Sequence, residues 1–330
     1  MILKQEKTRR ENDMRFPKVL LISNKFDFAT DFIAVELNRQ EVPYIRINRD
    51  ELKDYRISFD PIKPEIIGRY KNSSFTLSRD QLRSIYYRAP TFLRDIFQEG
   101  LSEEEQLIRT QWAAFVRSLC VFENVKWLNN PVDIYKAEIK PYQLFLANNL
   151  GFKVPKTIIS NEVLDIECDF VAIKSIDTAI VSKNDEEGFV YTNIYKRHEI
   201  KKAKYTSPFF NQQGLVPKLD IRVTVIEDKA IAIKIFSESR IDEDWRKYKN
   251  ELKYSVFALP KKIEDLCVQY VKELHLNFGA LDLIIFENEY YFIEINPTGE
   301  WSWLQQATGF KFDNLIVNSL KNEKNLSKSY

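Results

Sequence analysis

The clearest pattern of hydrophobic and polar positions lies near the C-terminus, where two apolar runs flank a short polar segment. The runs cover residues 280–286 and 290–295 and are rich in β-branched and aromatic side chains. Between them lie Glu287, Asn288 and Glu289. This pattern predicts a β-hairpin with a short polar turn.

Three oxygen-bearing side chains fall on one face of this predicted hairpin. If the turn is centred on Asn288, Asp282 lies opposite Glu294, and Asn296 follows two residues further along the same strand face. A shift of one residue would move Asp282 to the other face, so the register decides whether the three meet. Two carboxylates and an amide oxygen suit Mg²⁺, whose other ligands are usually water and substrate phosphates. The alternative is an amphipathic hairpin with a solvated acidic face.

The remaining pattern predicts an α/β architecture. A strand at 19–22, a helix at 27–39 and a strand at 44–48 form a βαβ unit. Further strands are predicted at 56–79, 84–88, 154–159, 170–174, 187–195, 220–226 and 230–236, and helices at 102–122, 133–150 and 261–275. No glycine-rich phosphate motif follows the first strand, so the sequence does not support a dinucleotide site there.

Breaks in the pattern divide the chain into four segments. The N-terminal residues are charged and lack apolar periodicity, which predicts a flexible tail. Asn129, Asn130 and Pro131 interrupt the pattern once, and Ser207 with Pro208 interrupts it again. The predicted division is a tail at 1–16, an N-terminal domain at 17–128, a central subdomain at 129–206 and a C-terminal subdomain at 207–330.

Composition narrows the function classes. The 330 residues include 29% charged and 44% hydrophobic side chains, with a formal net charge of +1. This balance favours neither nucleic acid nor an anionic membrane as a partner. The sequence has no membrane-length apolar run and no signal-peptide pattern, so a cytoplasmic location is expected. Three scattered cysteines and two distant histidines do not support a disulfide framework, a zinc site or triad hydrolysis.

Two lysines stand where they could neutralise phosphates. Lys174 ends an otherwise apolar predicted strand, where an ammonium group needs an anionic partner. Lys140 opens a helical stretch that stops at Gly151. Taken singly, each is also compatible with a surface lysine.

In chain order, these residues and the motifs around them resemble the ATP-grasp superfamily of carboxylate-amine ligases. The matching motifs are Lys140 with its helix to Gly151, Val154 to Thr157, Val171 to Lys174, Gln213 to Val216, Asp220 to Arg222, Asp244 to Arg246, Leu281 with Asp282, and Glu294 to Pro297. The resemblance implies an α/β (α+β) protein with an ATP-grasp fold, preceded by a pre-ATP-grasp domain of βαβ type.

Within the superfamily, four features are similar to the maturases that make ester- or amide-linked graspetides, such as the microviridin ligases. They are Tyr86 to Pro90, Lys140 to Leu144, Asp220 to Thr224, and Glu294 to Trp301. The resemblance implies that ATP activates an Asp or Glu side chain of a ribosomally made precursor peptide, composed of leader and core. A Ser, Thr or Lys side chain then closes a macrocycle. The resemblance is compatible with a homodimer. Ala89 departs from the pattern, because many relatives carry a basic residue there.

The resemblance also implies a role for each matching side chain. The implied phosphate contacts are Lys140 and Lys174, the adenine contacts Gln213, Leu215 and Val216, the catalytic group Arg222, Asp220 and Arg246, and the Mg²⁺ ligands Asp282, Glu294 and Asn296. Arg222 would orient the acceptor carboxylate and stabilise the oxyanion, because a guanidinium can bind it bidentately. Asp220 would steer Arg222 or contact the ribose.

Two other functions fit most of the same residues. One is an ATP-grasp ligase that adds an amino acid such as glutamate to a protein or small acceptor. The other is a nucleotide- or peptide-binding protein without turnover. If the protein acts on a peptide, the expected docking surfaces are the long helix that starts at Ser102 and the hairpin 221–236, which could pair with an added strand or cradle a peptide helix. The alternative is that both segments only pack the core between domains.

Overall fold

The computed structural model describes residues 14–88, 101–162, 166–177, 180–183, 186–189, 192–200, 204–237 and 251–322. The chain divides into two compact units. The first takes the residues up to 132 and those from 311 on, and the second takes residues 133–310. Residues 311–322 therefore belong to the first unit, whereas the sequence placed all of 207–330 in one subdomain.

The described residues form the following elements in chain order. The helices are α1 (Phe28–Arg39), α2 (Glu103–Ser118), α3 (Pro131–Ala137), α4 (Lys140–Leu150), α5 (Lys261–Glu273), α6 (Ser302–Thr308) and α7 (Phe312–Lys321). The strands are β1 (Met14–Arg15), β2 (Val19–Ser23), β3 (Tyr44–Asn48), β4 (Tyr55–Asp60), β5 (Glu65–Tyr70), β6 (Ser73–Ser78), β7 (Ser84–Tyr87), β8 (Lys126–Leu128), β9 (Thr157–Glu162), β10 (Phe170–Lys174), β11 (Ile180–Lys183), β12 (Glu186–Phe189), β13 (Asn193–Lys196), β14 (Lys204–Gln213), β15 (Leu219–Ile226), β16 (Lys229–Phe236), β17 (Lys253–Phe257), β18 (Phe278–Phe286) and β19 (Glu289–Asn296).

The first unit contains the predicted βαβ arrangement. Its parallel sheet has the order β3-β2-β7-β8, and Leu20, Leu21 and Ile22 of β2 are buried, as expected for a parallel strand covered on both faces. A second sheet has the order β1-β6-β5-β4. Helix α7 is tied to the parallel sheet at its C-terminal end. The Lys126 ammonium donates to the Ser319 carbonyl at 3.0 Å, and the Ser84 hydroxyl donates to the Leu320 carbonyl at 2.7 Å.

The second unit is built on antiparallel sheets. One has the order β13-β10-β14-β9, and a larger one has the order β17-β16-β15-β18-β19. The predicted break at Ser207 and Pro208 is wrong, because β14 continues through both residues. Its register with β9 shifts between Lys204 and Phe209, and such an irregularity accommodates a proline without a lost ladder bond.

One face of the larger sheet packs against helices, and the other face carries the polar groups of interest. In β15, Ile221, Val223 and Val225 belong to a core that also contains Cys267 and Tyr270 of α5. The alternate residues of β15, which include Asp220 and Arg222, point to the opposite face. Burying each large apolar side chain contributes roughly 1.5–3 kcal/mol, so the helix-covered face stabilises the sheet.

The cysteines are free thiols rather than a disulfide framework. Cys267 is fully buried, and desolvation raises the pKa of its thiol. Helices long and apolar enough to cross a membrane do not occur among the described residues.

Candidate active site on the five-stranded sheet

Three adjacent strands of the larger sheet place charged side chains in one row. Arg222 of β15 pairs with Asp282 of β18, and Asp282 pairs with Glu294 of β19. Residues that pair directly across antiparallel strands project to the same face, with Cβ atoms about 5 Å apart. The predicted pairing of Asp282 with Glu294 is therefore confirmed, and Arg222 extends the row on its other side.

The turn of the hairpin differs from the prediction, and a bulge compensates for the difference. The turn contains Glu287 and Asn288, with φ of 50° and 62°, and Phe286 pairs with Glu289. Continued without interruption, this register would set Ile293 opposite Asp282. The register instead shifts by one residue beside Asp282, so that Glu294 takes that place. A β-bulge re-aims side chains in this way and is frequent next to active sites.

Two cations flank the two carboxylates of the row. Arg222 Nε lies 3.2 Å from Asp282 Oδ1, and Lys140 Nζ lies 3.4 Å from Glu294 Oε2. Arg222 Nε lacks hydrogen-bond geometry toward Asp282, so the attraction between them is mainly that of opposite charges. Lys140 is the first residue of α4. The two carboxylates are thus flanked by one cation on each side, Lys140 beside Glu294 and Arg222 beside Asp282. These cations offset the repulsion between the facing carboxylates.

Asn296 is the last residue of β19 and lies two residues after Glu294, on the same face of the strand. Its side-chain Oδ1 accepts a hydrogen bond from the Thr298 backbone N–H at 2.9 Å, and the Gly299 N–H donates to the Asn296 carbonyl at 3.2 Å. A Cβ on Gly299 would lie 2.4 Å from the Cβ of Ala280, so only glycine allows this close approach. The turn after β19 therefore contacts both the side chain and the backbone carbonyl of Asn296.

The donor set of the row suits a hard divalent cation. Among the described residues, no group of three or more His, Cys, Asp and Glu side chains is placed to hold a metal ion. Asp282, Glu294 and Asn296 instead offer two carboxylates and one amide oxygen. This combination fits Mg²⁺, which prefers oxygen ligands and takes only one or two carboxylates from a protein.

Lys218, which the sequence analysis does not identify, forms an ion pair with Asp220. The Lys218 ammonium lies 2.7 Å from one carboxylate oxygen of Asp220, and only 6% of the Lys218 side chain is exposed. Lys218 lies just before β15, two residues from Asp220. The two opposite charges are close in the sequence, but this spacing does not indicate that the lysine is buried.

The implied adenine segment follows the end of β14. The Gln213 N–H donates to the Lys156 carbonyl at 2.8 Å, and the Gly214 N–H donates to the Phe170 carbonyl at 2.7 Å. Leu215 and Val216 are buried. This segment is therefore held against β10 by backbone contacts and burial.

Lys174 ends β10 as predicted, and it pairs with Phe210 of β14. Its ammonium group lies 5.4 Å from the centroid of the Phe210 ring. The structure thus puts Lys174 on the smaller sheet and the charged row on the larger one. Arg246 lies outside the described residues.

The first unit carries an ion pair at the tyrosine motif. Arg88 Nε lies 3.3 Å from Asp27 Oδ2, and Asp27 also accepts hydrogen bonds from the hydroxyls of Ser23 and Thr30. Burial alone would raise the pKa of Asp27, but Arg88 and the two hydroxyls hold it below its usual value. Ala89 and Pro90 lie outside the described residues.

The two expected docking surfaces, helix α2 and the hairpin of β15 and β16, differ in whether they present unpaired strand edges or exposed apolar side chains. Both outer edges of the hairpin formed by β15 and β16 are already paired, one with β18 and the other with β17. The expectation that this edge could accept an added strand is therefore wrong. Helix α2 begins with the predicted capping box at Ser102 and exposes Leu107 and Ile108 in its first half.

Comparison with known proteins identifies the fold. No protein-family model matches the chain, and no curated protein matches its sequence. Among solved structures, a RiPP-associated ATP-grasp ligase of Chryseobacterium gregarium, in complex with ADP and a leader and core peptide, superimposes with a TM-score of 0.77. It is 22% identical, and the match covers 92% of this chain and 96% of that chain.

Two further structures show the same fold. The macrocyclase MdnC of Microcystis aeruginosa MRC, bound with precursor peptide MdnA, has a TM-score of 0.73 at 18% identity, covering 92% of this chain and 99% of that chain. The ATP-grasp ligase PsnB, complexed with a minimal precursor, has a TM-score of 0.72 at 13% identity, covering 92% and 98%. The predicted ATP-grasp fold is confirmed, and the likeness extends over nearly the whole chain.

Proposed function

We propose that this protein is an ATP-dependent ligase that closes an ester or amide macrocycle in a ribosomally made precursor peptide. The observation that carries the proposal is the row of Arg222, Asp282 and Glu294 on one face of an ATP-grasp sheet, with Asn296 beside it and Lys140 of α4 paired with Glu294. The three structures compared above are a RiPP-associated ligase, a macrocyclase and an ATP-grasp ligase, solved with a leader and core peptide, a precursor peptide and a minimal precursor, respectively. Their likeness over nearly their whole length supports the same class of reaction for this chain.

ATP and Mg²⁺ are the proposed cosubstrate and metal. Asp282, Glu294 and Asn296 would hold Mg²⁺, which when bound would offset the negative charge of the ATP phosphates. Lys140 and Lys174 would contact the phosphates. The backbone of Gln213, Leu215 and Val216 would contact adenine. Such preorganised charges act without reorganisation cost during phosphoryl transfer.

The reaction proceeds in two steps, because a carboxylate is a poor electrophile. An oxygen of an Asp or Glu side chain in the peptide attacks the γ-phosphorus of ATP, and ADP leaves. A hydroxyl or amine of the same peptide then attacks the acyl carbon of the resulting acyl phosphate. Phosphate leaves, the nucleophile loses its proton, and the peptide has lost one water for each ring.

Arg222 is the proposed group that orients the acceptor carboxylate. Arg222 as a whole residue is 7% exposed, so a carboxylate that reaches its guanidinium meets a largely desolvated cation. Charge-assisted contacts of this kind are roughly twice as strong as neutral hydrogen bonds. Asp220 is held by Lys218, so its proposed role is a contact on the nucleotide side rather than the steering of Arg222. Arg246 remains a proposed member of the same group.

The proposed peptide partner has a leader as well as a core. A leader docked away from the reacting atoms raises the local concentration of the core without new contacts at the site. The exposed side chains Leu107 and Ile108 on α2 are the proposed leader contacts. An amphipathic helix can pack on such a surface through residues one turn apart.

Mass spectrometry of a candidate precursor tests the proposal. After incubation with ATP and Mg²⁺, the peptide should lose the mass of one water per ring, and ADP should form in matching amount. In a parallel incubation that also contains free amino acids, a gain in mass by one amino-acid residue would identify the amino-acid-adding ligase instead. ATP binding without hydrolysis, with every precursor tried, would favour a binding protein and contradict the proposal.

A further inference from the structure

Strand β19 lies at the edge of its sheet, so the backbone groups on its outer side need partners from outside the sheet. The Lys153 carbonyl accepts the Phe292 N–H at 2.8 Å near the middle of the strand. Further along, Ile295 turns both its N–H and its carbonyl toward α4. Ile295 is the residue between Glu294 and Asn296, the two proposed metal ligands of this strand.

The side chain of Gln143 meets Ile295 as another strand would. Its Oε1 accepts the Ile295 N–H at 3.1 Å, and its Nε2 donates to the Ile295 carbonyl at 3.0 Å. Nε2 also donates to the Ala137 carbonyl at 2.6 Å. Both amide donors and the acceptor are thus in use, and Gln143 is 1% exposed.

Helix α4 contacts β19 through two side chains one turn apart. Lys140 forms the ion pair with Glu294, and Gln143 binds the backbone of the next residue. Residues three apart on a helix lie on the same face. The Gln143 backbone is itself tied to the core, because the Tyr270 hydroxyl donates to its carbonyl at 3.1 Å.

We propose that Gln143 is a positioning residue that sets the direction of the Glu294 and Asn296 side chains toward Mg²⁺ and nucleotide. These side chains leave the backbone immediately before and after the residue that Gln143 holds on both sides. A rotation of the strand at Ile295 would move both oxygens together. This inference rests on the proposed function, because it takes Glu294 and Asn296 as metal ligands.

Nucleotide binding measured by calorimetry, with and without Mg²⁺, tests this role without requiring turnover. In the wild-type protein, Mg²⁺ should raise the affinity for ADP. In Gln143→Leu, affinity without Mg²⁺ should stay near wild type. The Mg²⁺ increment, defined as the ratio of the ADP affinity with Mg²⁺ to the affinity without it, should fall about tenfold or more. Removing a group that holds metal ligands in place usually has an effect of this size.

Two further variants separate positioning from stability. Ser84→Ala removes a buried hydrogen bond in the other unit and should lower the melting temperature while leaving the Mg²⁺ increment unchanged. Gln143→Glu keeps an acceptor for the Ile295 N–H but loses both donors when ionised. The introduced carboxyl is buried, so its pKa is raised, and protonation restores one donor. Its Mg²⁺ increment, relative to wild type at the same pH, should therefore recover as the pH falls.

The outcomes distinguish this inference from the proposed function. A wild-type protein whose ADP affinity does not respond to Mg²⁺ would refute the metal site, and the positioning role with it. A wild-type response that Gln143→Leu and Gln143→Glu retain in full would overturn the positioning role alone. If Gln143→Leu does not fold, the pH dependence of Gln143→Glu decides: a Mg²⁺ increment that tracks wild type at every pH overturns the role.

Discussion

Gly214 offers a sharp test of the adenine segment, because its surroundings leave no room for a side chain. A Cβ added at Gly214 would lie 2.8 Å from the Cβ of Phe170 and 3.0 Å from the Phe170 carbonyl carbon and oxygen. Non-bonded carbon atoms pack at about 3.5–4.0 Å, so Gly214→Ala must displace the segment by roughly 0.5–1 Å. The obstacle is mainly backbone, which cannot rotate away as a flexible side chain can.

The displacement should cost both stability and nucleotide affinity. Overpacking of this kind destabilises a protein by about 1–3 kcal/mol. Leu215 and Val216 follow directly in the chain, so the proposed adenine contacts should move with Gly214. If ATP binds only when the segment is in its wild-type position, returning the segment to that position costs part of the overpacking free energy. Every 1.4 kcal/mol of this cost weakens ATP binding about tenfold. We expect ATP to bind Gly214→Ala about tenfold more weakly.

Calorimetric titration with ATP and thermal unfolding measure the two effects separately. Gly68→Ala is the matched control, because a Cβ there would lie 2.1 Å from Cζ of Phe75, in a sheet of the first unit. This control should lower the melting temperature and leave ATP affinity unchanged. If folded Gly214→Ala binds ATP as tightly as wild type, the segment from Gln213 to Val216 does not contact adenine.

Three further predictions follow from the proposed site. Glu294→Gln and Asn296→Ala should abolish ATP-dependent loss of water from the peptide while circular dichroism shows an intact fold, and near wild-type turnover in either would contradict the metal assignment. Lys174→Ala should weaken ATP binding more than about tenfold, because a charge-assisted contact in a sheltered site is worth roughly 1.5–3 kcal/mol; the exposed Lys153, in Lys153→Ala, is the control. Deleting the leader of the true precursor should slow modification at least about tenfold, with partial recovery when the leader is added as a separate peptide; a leaderless core that reacts at the full rate would place specificity in the active site.

Local pattern predicted the hairpin and the pairing of Asp282 with Glu294, but not the turn and bulge that produce this pairing. The alternation of β18 and β19 assigns Asp282 and Glu294 to one face, and a turn of two or three residues leaves few registers. The prediction nevertheless reached the correct pair through an incorrect turn. It assumed a centre at Asn288, whereas the structure combines a two-residue turn with a bulge. Nothing in the sequence between 289 and 294 marks the bulge.

Contacts between distant segments could not be predicted in the same way. Gln143 and Ile295 are far apart in the chain, and the glutamine lies in a helix whose exposed and buried faces were not distinguished. The stretch 133–150 was predicted as one helix, but it forms α3 and α4. Because Ala137 ends α3 and Lys140 begins α4, the short break also presents the Ala137 carbonyl to Gln143. The residues around the site were identifiable by type, while the groups that hold them required the fold.

The two faces of the larger sheet explain why its register is strongly specified. A shift of one residue would turn Asp282 and Glu294 toward Tyr270 and the other apolar side chains of α5. Burying a carboxylate there without a partner costs several kcal/mol, and the same shift would expose Ile295 and its neighbours. In the observed register each carboxylate instead lies within 3.4 Å of a cation. The apolar face and the charged face therefore select the same register, and the side chains proposed for metal and nucleotide binding help to specify the sheet that carries them.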